Sequence, residues 1–193
     1  MRTDKRIEKI KTVLANRQPS LHLVLENIHD PHNVSAILRT CDAVGVDTVS
    51  LLYHIEKFPK IGKKSSASAG KWVNRKKFTN VGECIDSLRS RNFRIYSSYI
   101  GEGTVNLFDL DLTGNVALVM GNEHRGISEE IIEKSDTLFY IPMHGMVQSL
   151  NVSVATAITL YEAMRQRRNV GLYDKSSFSD EESEIRLEEW IKK

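Results

Sequence analysis

The sequence predicts an α/β protein in which helices cover both faces of a mostly parallel sheet. Two observations support this fold class. Short apolar segments, such as residues 116–120 and 137–141, alternate along the chain with segments of helical periodicity. Strands that are apolar throughout are typical of parallel sheets buried on both faces. With 193 residues, 40% of them hydrophobic and 27% charged, the chain is long enough for one such domain with appended helices.

The predicted elements alternate from the amino terminus onward. In order, they are a basic amphipathic helix at 4–17, a strand at 21–25, a helix at 33–44, a strand at 49–53, a helix at 81–91 and a strand at 93–99. Gly45 ends the second helix, because glycine readily adopts the left-handed conformation that closes many helices. The stretch 54–78 is predicted to be irregular, with a flexible run of small residues at 65–70.

The second half of the chain continues the alternation. It consists of a strand at 116–120, a short helix at 128–134, a strand at 137–141, a helix from 149 to about 168 and a final helix after the capping box at 179–182. Ser128 and Ser149 are the predicted N-caps of the first two helices. Pro142 ends the strand at 137–141, because proline cannot donate a hydrogen bond to a sheet ladder. Leu187, Trp190 and Ile191 give the final helix an apolar stripe.

Composition argues against several classes of protein. No apolar run approaches the roughly 18–20 residues of a membrane span, and no apolar signal segment follows the charged residues near the amino terminus. Cys41 and Cys84 form no metal-binding pattern, and the six histidines show no ligand-like pairing. We therefore expect a reduced, cytoplasmic protein with no metal ion and no membrane partner, in which Cys41 packs on the inner side of a helix.

Basic residues are clustered although the net charge is only +2. They concentrate in residues 1–17, in the segment 57–77 and at 165–168, whereas residues 180–189 are acidic. Such clusters in a nearly neutral chain indicate a surface that faces a polyanion, and three together favour nucleic acid over ordinary solvated helix faces. The candidates for RNA binding are Arg6, Lys9, Arg17, Arg165, Arg167 and Arg168.

The first segment with functional residues runs from 27 to 40 and carries Asn33 and Arg39. A strand leads through a turn with Pro31 into a helix, and the spacing of six places the two side chains on different sides of that helix. They share a site only if Asn33 lies at the mouth of the helix and Arg39 reaches along it. Arg39 has apolar neighbours in sequence, so we expect its guanidinium to be shielded and to need an anionic partner. The alternative is a helix cap at Asn33 and a surface charge at Arg39.

The second segment, 116–128, is a buried strand followed by a loop with Gly121, Glu123 and Gly126. Two glycines permit close approach of the backbone to a ligand or to another part of the chain. The segment has neither the Walker spacing nor a G-x-G-x-x-G pattern, so it is not a phosphate-binding loop. Alternatively, the glycines only end the strand and form a turn, and Glu123 is a turn carboxylate.

The third segment, 141–155, links a strand to a helix through an apolar loop with Gly145. Gln148, Ser149 and Asn151 cluster at the start of the helix, where free backbone N–H groups gather. This arrangement predicts a site for a small ligand. The alternative is that Ser149 and Asn151 cap the helix and do nothing else.

Taken in order, these segments resemble the TrmH family of knotted (SPOUT) S-adenosylmethionine-dependent RNA methyltransferases. The resemblance rests on N-x-x-D-P-x-N-x-x-A-x-x-R-T at 27–40, G-x-E-x-x-G at 121–126, and I-P-M followed by S-L-N-V-S-V-A within 141–155. It implies a catalytic domain at 20–168 that ends in a deep trefoil knot. It also implies a basic RNA-binding helix at 1–19 and a C-terminal helical extension at 169–193.

The resemblance further implies a reaction and its residues. S-adenosylmethionine would be held by Gly121, Ile141 and Leu150, with Ser98 and Ile100 as weaker candidates. Arg39 would be catalytic in methyl transfer to a ribose 2′-hydroxyl, assisted by Asn33, Glu123, Ser149 and Asn151. The family also implies a homodimer with active sites at the subunit interface. Chain length and terminal helices favour tRNA as substrate, with the D-loop guanosine at position 18 as target by resemblance. Another tRNA or rRNA nucleotide, or a non-catalytic RNA-binding module, are the alternatives.

Overall fold

The computed structural model describes residues 4–59 and 69–193, and in this part of the chain seven strands form one parallel sheet. The strands are β1 (Gln18–Glu26), β2 (Val46–Leu52), β3 (Asn74–Phe78), β4 (Arg94–Ser98), β5 (Val105–Asn106), β6 (Val116–Met120) and β7 (Thr137–Tyr140). Their order across the sheet is β3-β2-β1-β6-β4-β7-β5, and every pairing is parallel. The predicted fold class is confirmed, while the trefoil knot stays a prediction.

Helices lie on both faces of the sheet. They are α1 (Asp4–Ala15), α2 (Pro31–Val44), α3 (Val81–Arg89), α4 (Glu129–Lys134), α5 (Val152–Asn169) and α6 (Asp180–Lys192). One core lies between the sheet and the helices α2 and α5, and a second lies under α3 and α4. Alternate residues of β6 serve the two cores: Leu118 belongs to the first, and Ala117 and Val119 to the second. The continuous apolar strands therefore follow from burial on both faces.

The two terminal helices pack against each other. Ile10 and Leu14 of α1 and Trp190 of α6 form a third small core, which Leu187 and Ile191 extend. The predicted apolar stripe of the last helix therefore faces the first helix. Ser179 caps α6, and its side chain accepts the N–H of Glu182 as a capping box requires.

Three predictions about elements need correction. The stretch 54–78 was expected to be irregular, but residues 74–78 form the edge strand β3, whose first four residues are exposed. An edge strand that is largely exposed does not need apolar residues, so the sequence of β3 lacks the apolar pattern by which a strand is recognised. The short strand β5 was also missed. The expected loop at 65–70 lies almost entirely outside the described residues.

The third correction concerns the start of α5. The helix begins at Val152, and its N-cap is Asn151 rather than Ser149. The Asn151 side chain accepts the N–H of Ser153 at 2.8 Å, which is the usual capping bond. Other predicted caps hold: Ser128 caps α4, and Gly45 closes α2 with φ of 83°.

The strand order fixes where a ligand fits. From β1 the chain builds the sheet outward through β2 to β3, and the remaining strands lie on the other side of β1. In open parallel sheets, ligands bind outside the carboxyl ends of the strands near such a change of direction. No helix in the described ranges is long and apolar enough to cross a membrane.

Candidate active site

A cavity of about 380 Å³ opens at the carboxyl ends of β4, β6 and β7 and at the start of α5. Its lining includes all five positions expected to hold the cofactor: Ser98, Ile100, Gly121, Ile141 and Leu150. Ser98 ends β4, Gly121 follows β6, and Ile141 follows β7. The parallel sheet thus gathers residues that are more than 50 positions apart in sequence into one site.

Gly121 is required by a tight fold of its own loop. A Cβ at this position would lie 2.3 Å from the carbonyl carbon of Gly126 and 2.5 Å from the nitrogen of Ile127, so no larger residue fits. Asn122 and Gly126 exchange two backbone hydrogen bonds of 2.9 Å that close the loop. Gly126 has φ of 68°, a conformation that favours glycine. Both glycines therefore serve the loop that carries Glu123.

Glu123 joins two other predicted residues in a chain of hydrogen bonds. Asn33 Nδ2 donates to Glu123 Oε1 at 2.8 Å, and Asn151 Nδ2 donates to Asn33 Oδ1 at 3.1 Å. The residues come from the starts of α2 and α5 and from the loop after β6. The structure thus brings together Asn33, Glu123 and Asn151 at the edge of the cavity.

Glu123 is also held by the backbone before α2. Its carboxylate accepts the N–H of His29 at 2.9 Å and that of Asp30 at 3.4 Å. Desolvation alone would raise its pKa, but the hydrogen bonds from Asn33, His29 and Asp30 outweigh it and lower the pKa below the ordinary value. Glu123 is therefore a carboxylate at neutral pH, suited to accept hydrogen bonds.

Two asparagines for which no separate role was predicted support this loop. Asn27 is buried and has φ of 50°, and its Oδ1 accepts the backbone N–H groups of His54, Ile55 and Glu56. Asn122 Nδ2 donates to the carbonyl of Asn27 at 2.7 Å. Asparagine tolerates the left-handed conformation better than most residues. The only signal in the sequence was that Asn27 begins the first motif.

Arg125 stands at the rim of the cavity beside Glu123. Its guanidinium donates to Glu56 Oε1 at 2.6 Å, and His29 Nδ1 lies 3.5 Å from the other oxygen of Glu56. The hydrogen bond from Arg125 is the main cause that lowers the pKa of Glu56. A positive group thus lies close to the proposed reaction site, although sequence reasoning did not single it out.

Ser149 and Arg39 differ from expectation in their surroundings. Ser149 is exposed and lines the cavity but caps no helix, so its purely structural alternative is wrong. Arg39 is exposed as well, and the expectation of a shielded guanidinium with an anionic partner is wrong. Its sequence neighbours Ile37 and Leu38 face the core. Each residue along a helix is rotated by about 100° from the one before it, and this rotation places Arg39 on the solvent side. Within the described residues, Arg39 has no hydrogen bond or ion pair and does not line the cavity.

Two of the six predicted RNA-binding residues are fully buried, and that expectation is wrong for them. Arg17 donates to the carbonyl of Val46 and to Asp42 and lies over the ring of Trp190. Arg167 binds five acceptors, among them the carbonyls of Leu112 and Gly114. Burial lowers the pKa of Arg167 to about 10. Neither guanidinium is accessible to RNA.

The other four basic candidates reach the surface. Lys9, Arg165 and Arg168 are exposed and Arg6 is half-buried. Arg165 forms an ion pair with Glu162 at 2.7 Å, which leaves its outer edge to solvent. Among the residues that the structure describes, no group of three or more histidine, cysteine or acidic side chains is placed to hold a metal ion.

Comparison with known proteins identifies the family of this chain. Residues 20–161 match the SpoU rRNA Methylase family, and the chain belongs to that family. It is 43% identical to the tRNA (guanosine(18)-2′-O)-methyltransferase of Aquifex aeolicus, over 97% of this chain and 89% of that protein.

Two crystal structures extend the comparison. The tRNA-modifying enzyme TrmH/SpoU of A. aeolicus superposes with a TM-score of 0.92 at 41% identity, covering 98% of this chain and 96% of that one. The methyltransferase AviRb of Streptomyces viridochromogenes, in complex with the cofactor AdoMet, gives 0.69 at 25% identity over 80% of this chain and 59% of the other.

Proposed function

We propose that this protein is a tRNA methyltransferase that transfers the methyl group of S-adenosylmethionine to the ribose 2′-hydroxyl of guanosine 18. One observation carries the proposal: the cavity after β4, β6 and β7 lies directly beside the hydrogen-bonded group of Asn33, Glu123 and Asn151. A ligand site and a polar site in contact are what a group transfer between two bound molecules needs. The relative from Aquifex aeolicus is named a tRNA (guanosine(18)-2′-O)-methyltransferase, and the AviRb structure is a complex with AdoMet. The proposed substrate and target nucleotide come from the first name and the cofactor from the second.

The cavity suits S-adenosylmethionine in size and chemistry. Its volume of about 380 Å³ falls within the range of small-molecule sites. Ile100, Ile141 and Leu150 provide apolar contacts for an adenine ring, and the loops at Gly121 and Ser149 offer backbone donors and acceptors. When bound, the cofactor supplies a methyl group that is already activated on a sulfonium.

The protein's own task is therefore to hold the ribose and to manage the charge of its hydroxyl oxygen. Asn33 and Asn151 present amide groups beside the ionised Glu123, which positions hydroxyl groups by accepting their hydrogen bonds. Ser149 lines the same cavity and is exposed, so its hydroxyl is available to a bound substrate. Pre-positioned groups of this kind reduce the entropy that the reaction must lose.

Arg39 stabilises the developing alkoxide as a cation. A guanidinium stays protonated far above neutral pH, so removing its proton at pH 7 carries a large free-energy cost. A general-base role is therefore far more costly than electrostatic stabilisation of the 2′-oxygen. The proton then passes to solvent or to an RNA phosphate that Arg39 binds.

The exposed position of Arg39 supports a homodimer. Val154 and Tyr161 of α5 are 47% and 49% exposed, although α5 otherwise packs on α2 and the sheet. A second copy on this face covers both side chains and brings its own Arg39 to the cavity of the first. Light scattering should give a dimer, and Tyr161→Asp should yield monomers that bind the cofactor but do not transfer methyl.

Residues 1–19 and 169–193 contribute the RNA-contacting surface, and residues 20–168 the catalytic domain. The packing of α1 on α6 supports this division, because it joins Arg6 and Lys9 to the C-terminal extension in one surface. Action on tRNA also agrees with a cytoplasmic location.

Calorimetry separates this function from a non-catalytic RNA-binding module. The proposal requires S-adenosylhomocysteine to bind one site per chain, and Gly121→Ala to lose that binding because its loop cannot close. Gly114→Ala is a matched control, since Gly114 is not in the left-handed region, a Cβ there would lie no closer than 3.4 Å to Arg94 Nη2, and the position lies outside the cavity. Binding of tRNA without any binding of the cofactor product would favour the RNA-binding module instead.

A further inference from the structure

A second cavity, of about 360 Å³, lies between the terminal helices and the segment after the short turn Ala69–Lys71. Arg6, Lys9, Asp42, Trp72 and Trp190 line it, together with two apolar side chains of α1. It shares no lining residue with the cavity at the carboxyl ends of β4, β6 and β7. The mechanism proposed above gives it no role.

The apolar part of this cavity is aromatic. Trp72 is half-buried and Trp190 is only 3% exposed, and their ring centroids are 5.0 Å apart at 46°. Trp190 is fixed by Arg17, whose guanidinium carbon lies 5.2 Å from its centroid. Trp72 therefore lines the cavity with an indole ring that packs against a second, buried ring.

The charged part suits a phosphate backbone. Arg6 and Lys9 have neither an ion pair nor a hydrogen bond with any residue in the described ranges, so both are available to a ligand. Asp42 is the one acidic lining residue, and the buried guanidinium of Arg17 forms an ion pair with it. The pairing offsets the negative charge of Asp42, and its side chain remains 31% exposed as a hydrogen-bond acceptor.

We propose that this cavity binds one unstacked nucleobase of the RNA substrate, with the base on Trp72 and the adjoining phosphates on Arg6 and Lys9. Stacking on aromatic side chains beside basic residues is the general way in which proteins bind single-stranded RNA. The Asp42 carboxylate accepts hydrogen bonds from an exocyclic amino group, which adenine, guanine and cytosine have and uracil lacks. The inference rests on the proposed function only in taking RNA as the ligand.

The chain contains two tryptophans, and both line this cavity, so its intrinsic fluorescence reports on this site. We expect short oligoadenylate to quench the emission at lower concentration than oligouridylate of the same length. Trp72→Leu keeps an apolar side chain but removes the stacking surface, and Trp72→Phe keeps an aromatic ring. Trp72→Leu should weaken binding of an unmodified tRNA transcript by about five- to a hundredfold, the range of one stacked base, while Trp72→Phe stays close to the wild type.

A charge control completes the test. Arg6→Ala should lower the slope of log affinity against log salt by about one phosphate contact. Lys11→Ala, on the same helix but outside the cavity and paired with Glu8, should leave the slope unchanged. Circular dichroism and thermal unfolding verify that each variant folds before its affinity is compared.

The inference is overturned if oligoadenylate fails to quench the tryptophans, or if Trp72→Leu and Trp72→Phe bind tRNA equally well. Equal quenching by oligoadenylate and oligouridylate would overturn the role of Asp42. Methyl transfer is measured separately. Absence of transfer by the wild type, with quenching retained, would remove the proposed function and leave this site in place.

Discussion

At the scale of single residues, the site depends on side chains that are held before any ligand arrives. Glu123 receives hydrogen bonds from Asn33 and from the backbone of His29 and Asp30, and these bonds keep it ionised. Arg39, by contrast, is exposed and has no partner in the described part of its own chain. We therefore expect substitution of Glu123 to change stability, and substitution of Arg39 to change turnover but not stability.

Substitution of Glu123 should remove part of the pH dependence of stability. Because the folded pKa lies below the ordinary 4.5, the ionised carboxylate stabilises the fold above that pH. The contribution is lost as pH falls through the folded pKa. Thermal unfolding of wild type and Glu123→Gln should therefore differ at neutral pH and converge in acid, where both side chains are neutral. A constant difference across the whole range would contradict this electrostatic account.

Replacement of Arg39 should affect turnover and leave stability unchanged. An exposed residue without partners contributes within about 0.5 kcal/mol to unfolding. We expect Arg39→Lys to lose about 10²- to 10³-fold in kcat, the cost of one misplaced group that stabilises an oxyanion. Denaturant unfolding and single-turnover methyl transfer measure the two effects. If the lysine variant kept most of its turnover, Arg39 would have no place in the chemistry.

At the scale of elements, the start of α5 combines capping with function. Asn151 caps the helix through Ser153 and donates to Asn33, whereas Ser149 caps nothing. A helix N-terminus that contacts the site in this way ties the position of the loop 141–150 to the positions of Asn33 and Glu123.

Two alanine substitutions separate these roles. Asn151→Ala should cost about 1 kcal/mol of stability, the usual value for a lost cap, and also reduce methyl transfer. Ser149→Ala should leave the unfolding midpoint unchanged and reduce methyl transfer alone. Chemical denaturation followed by activity at equal folded fraction measures both. If Asn151→Ala kept full methyl transfer, Asn151 would be only a helix cap. If Ser149→Ala kept it, Ser149 would have no role in the reaction.

Local signals explain which elements could be predicted. Strand β6 and helix α4 begin and end as expected, because an apolar run, a glycine and the Ser128 cap mark their ends directly. The edge strand β3 was missed, since exposure removes the apolar pattern. Ser149 and Asn151 are equally good caps in sequence, and only the path of the loop decides between them.

At the scale of the whole molecule, long-range contacts decide what neighbours in sequence do. Arg167 and Arg168 look alike as bases at the end of α5, but Arg167 is fully buried against Ser20, Leu112 and Gly114, while Arg168 is exposed. The partners of Arg167 are more than 50 residues away, so no local pattern reveals them. The five positions expected to hold the cofactor, by contrast, line one cavity as predicted, because parallel strands place their carboxyl ends at one edge.

This pair of arginines provides a matched test. Arg167→Ala leaves several buried carbonyls without donors and should destabilise the fold by at least about 3 kcal/mol. Arg168→Ala should change stability by less than about 0.5 kcal/mol and instead weaken tRNA binding with a smaller dependence on salt. Denaturant unfolding and filter binding at several salt concentrations measure these effects. A stable Arg167→Ala variant with weakened tRNA binding would contradict the buried role of Arg167.

The central claim is that the cavity and the group around Glu123 together methylate one ribose in tRNA. The most direct measurement incubates the protein with labelled S-adenosylmethionine and an unmodified tRNA transcript, and maps the label by nuclease digestion and mass spectrometry. The account predicts a single 2′-O-methylguanosine at position 18, and no transfer to a transcript with 2′-deoxyguanosine there. Methylation on a base, at another nucleotide, or not at all would contradict it.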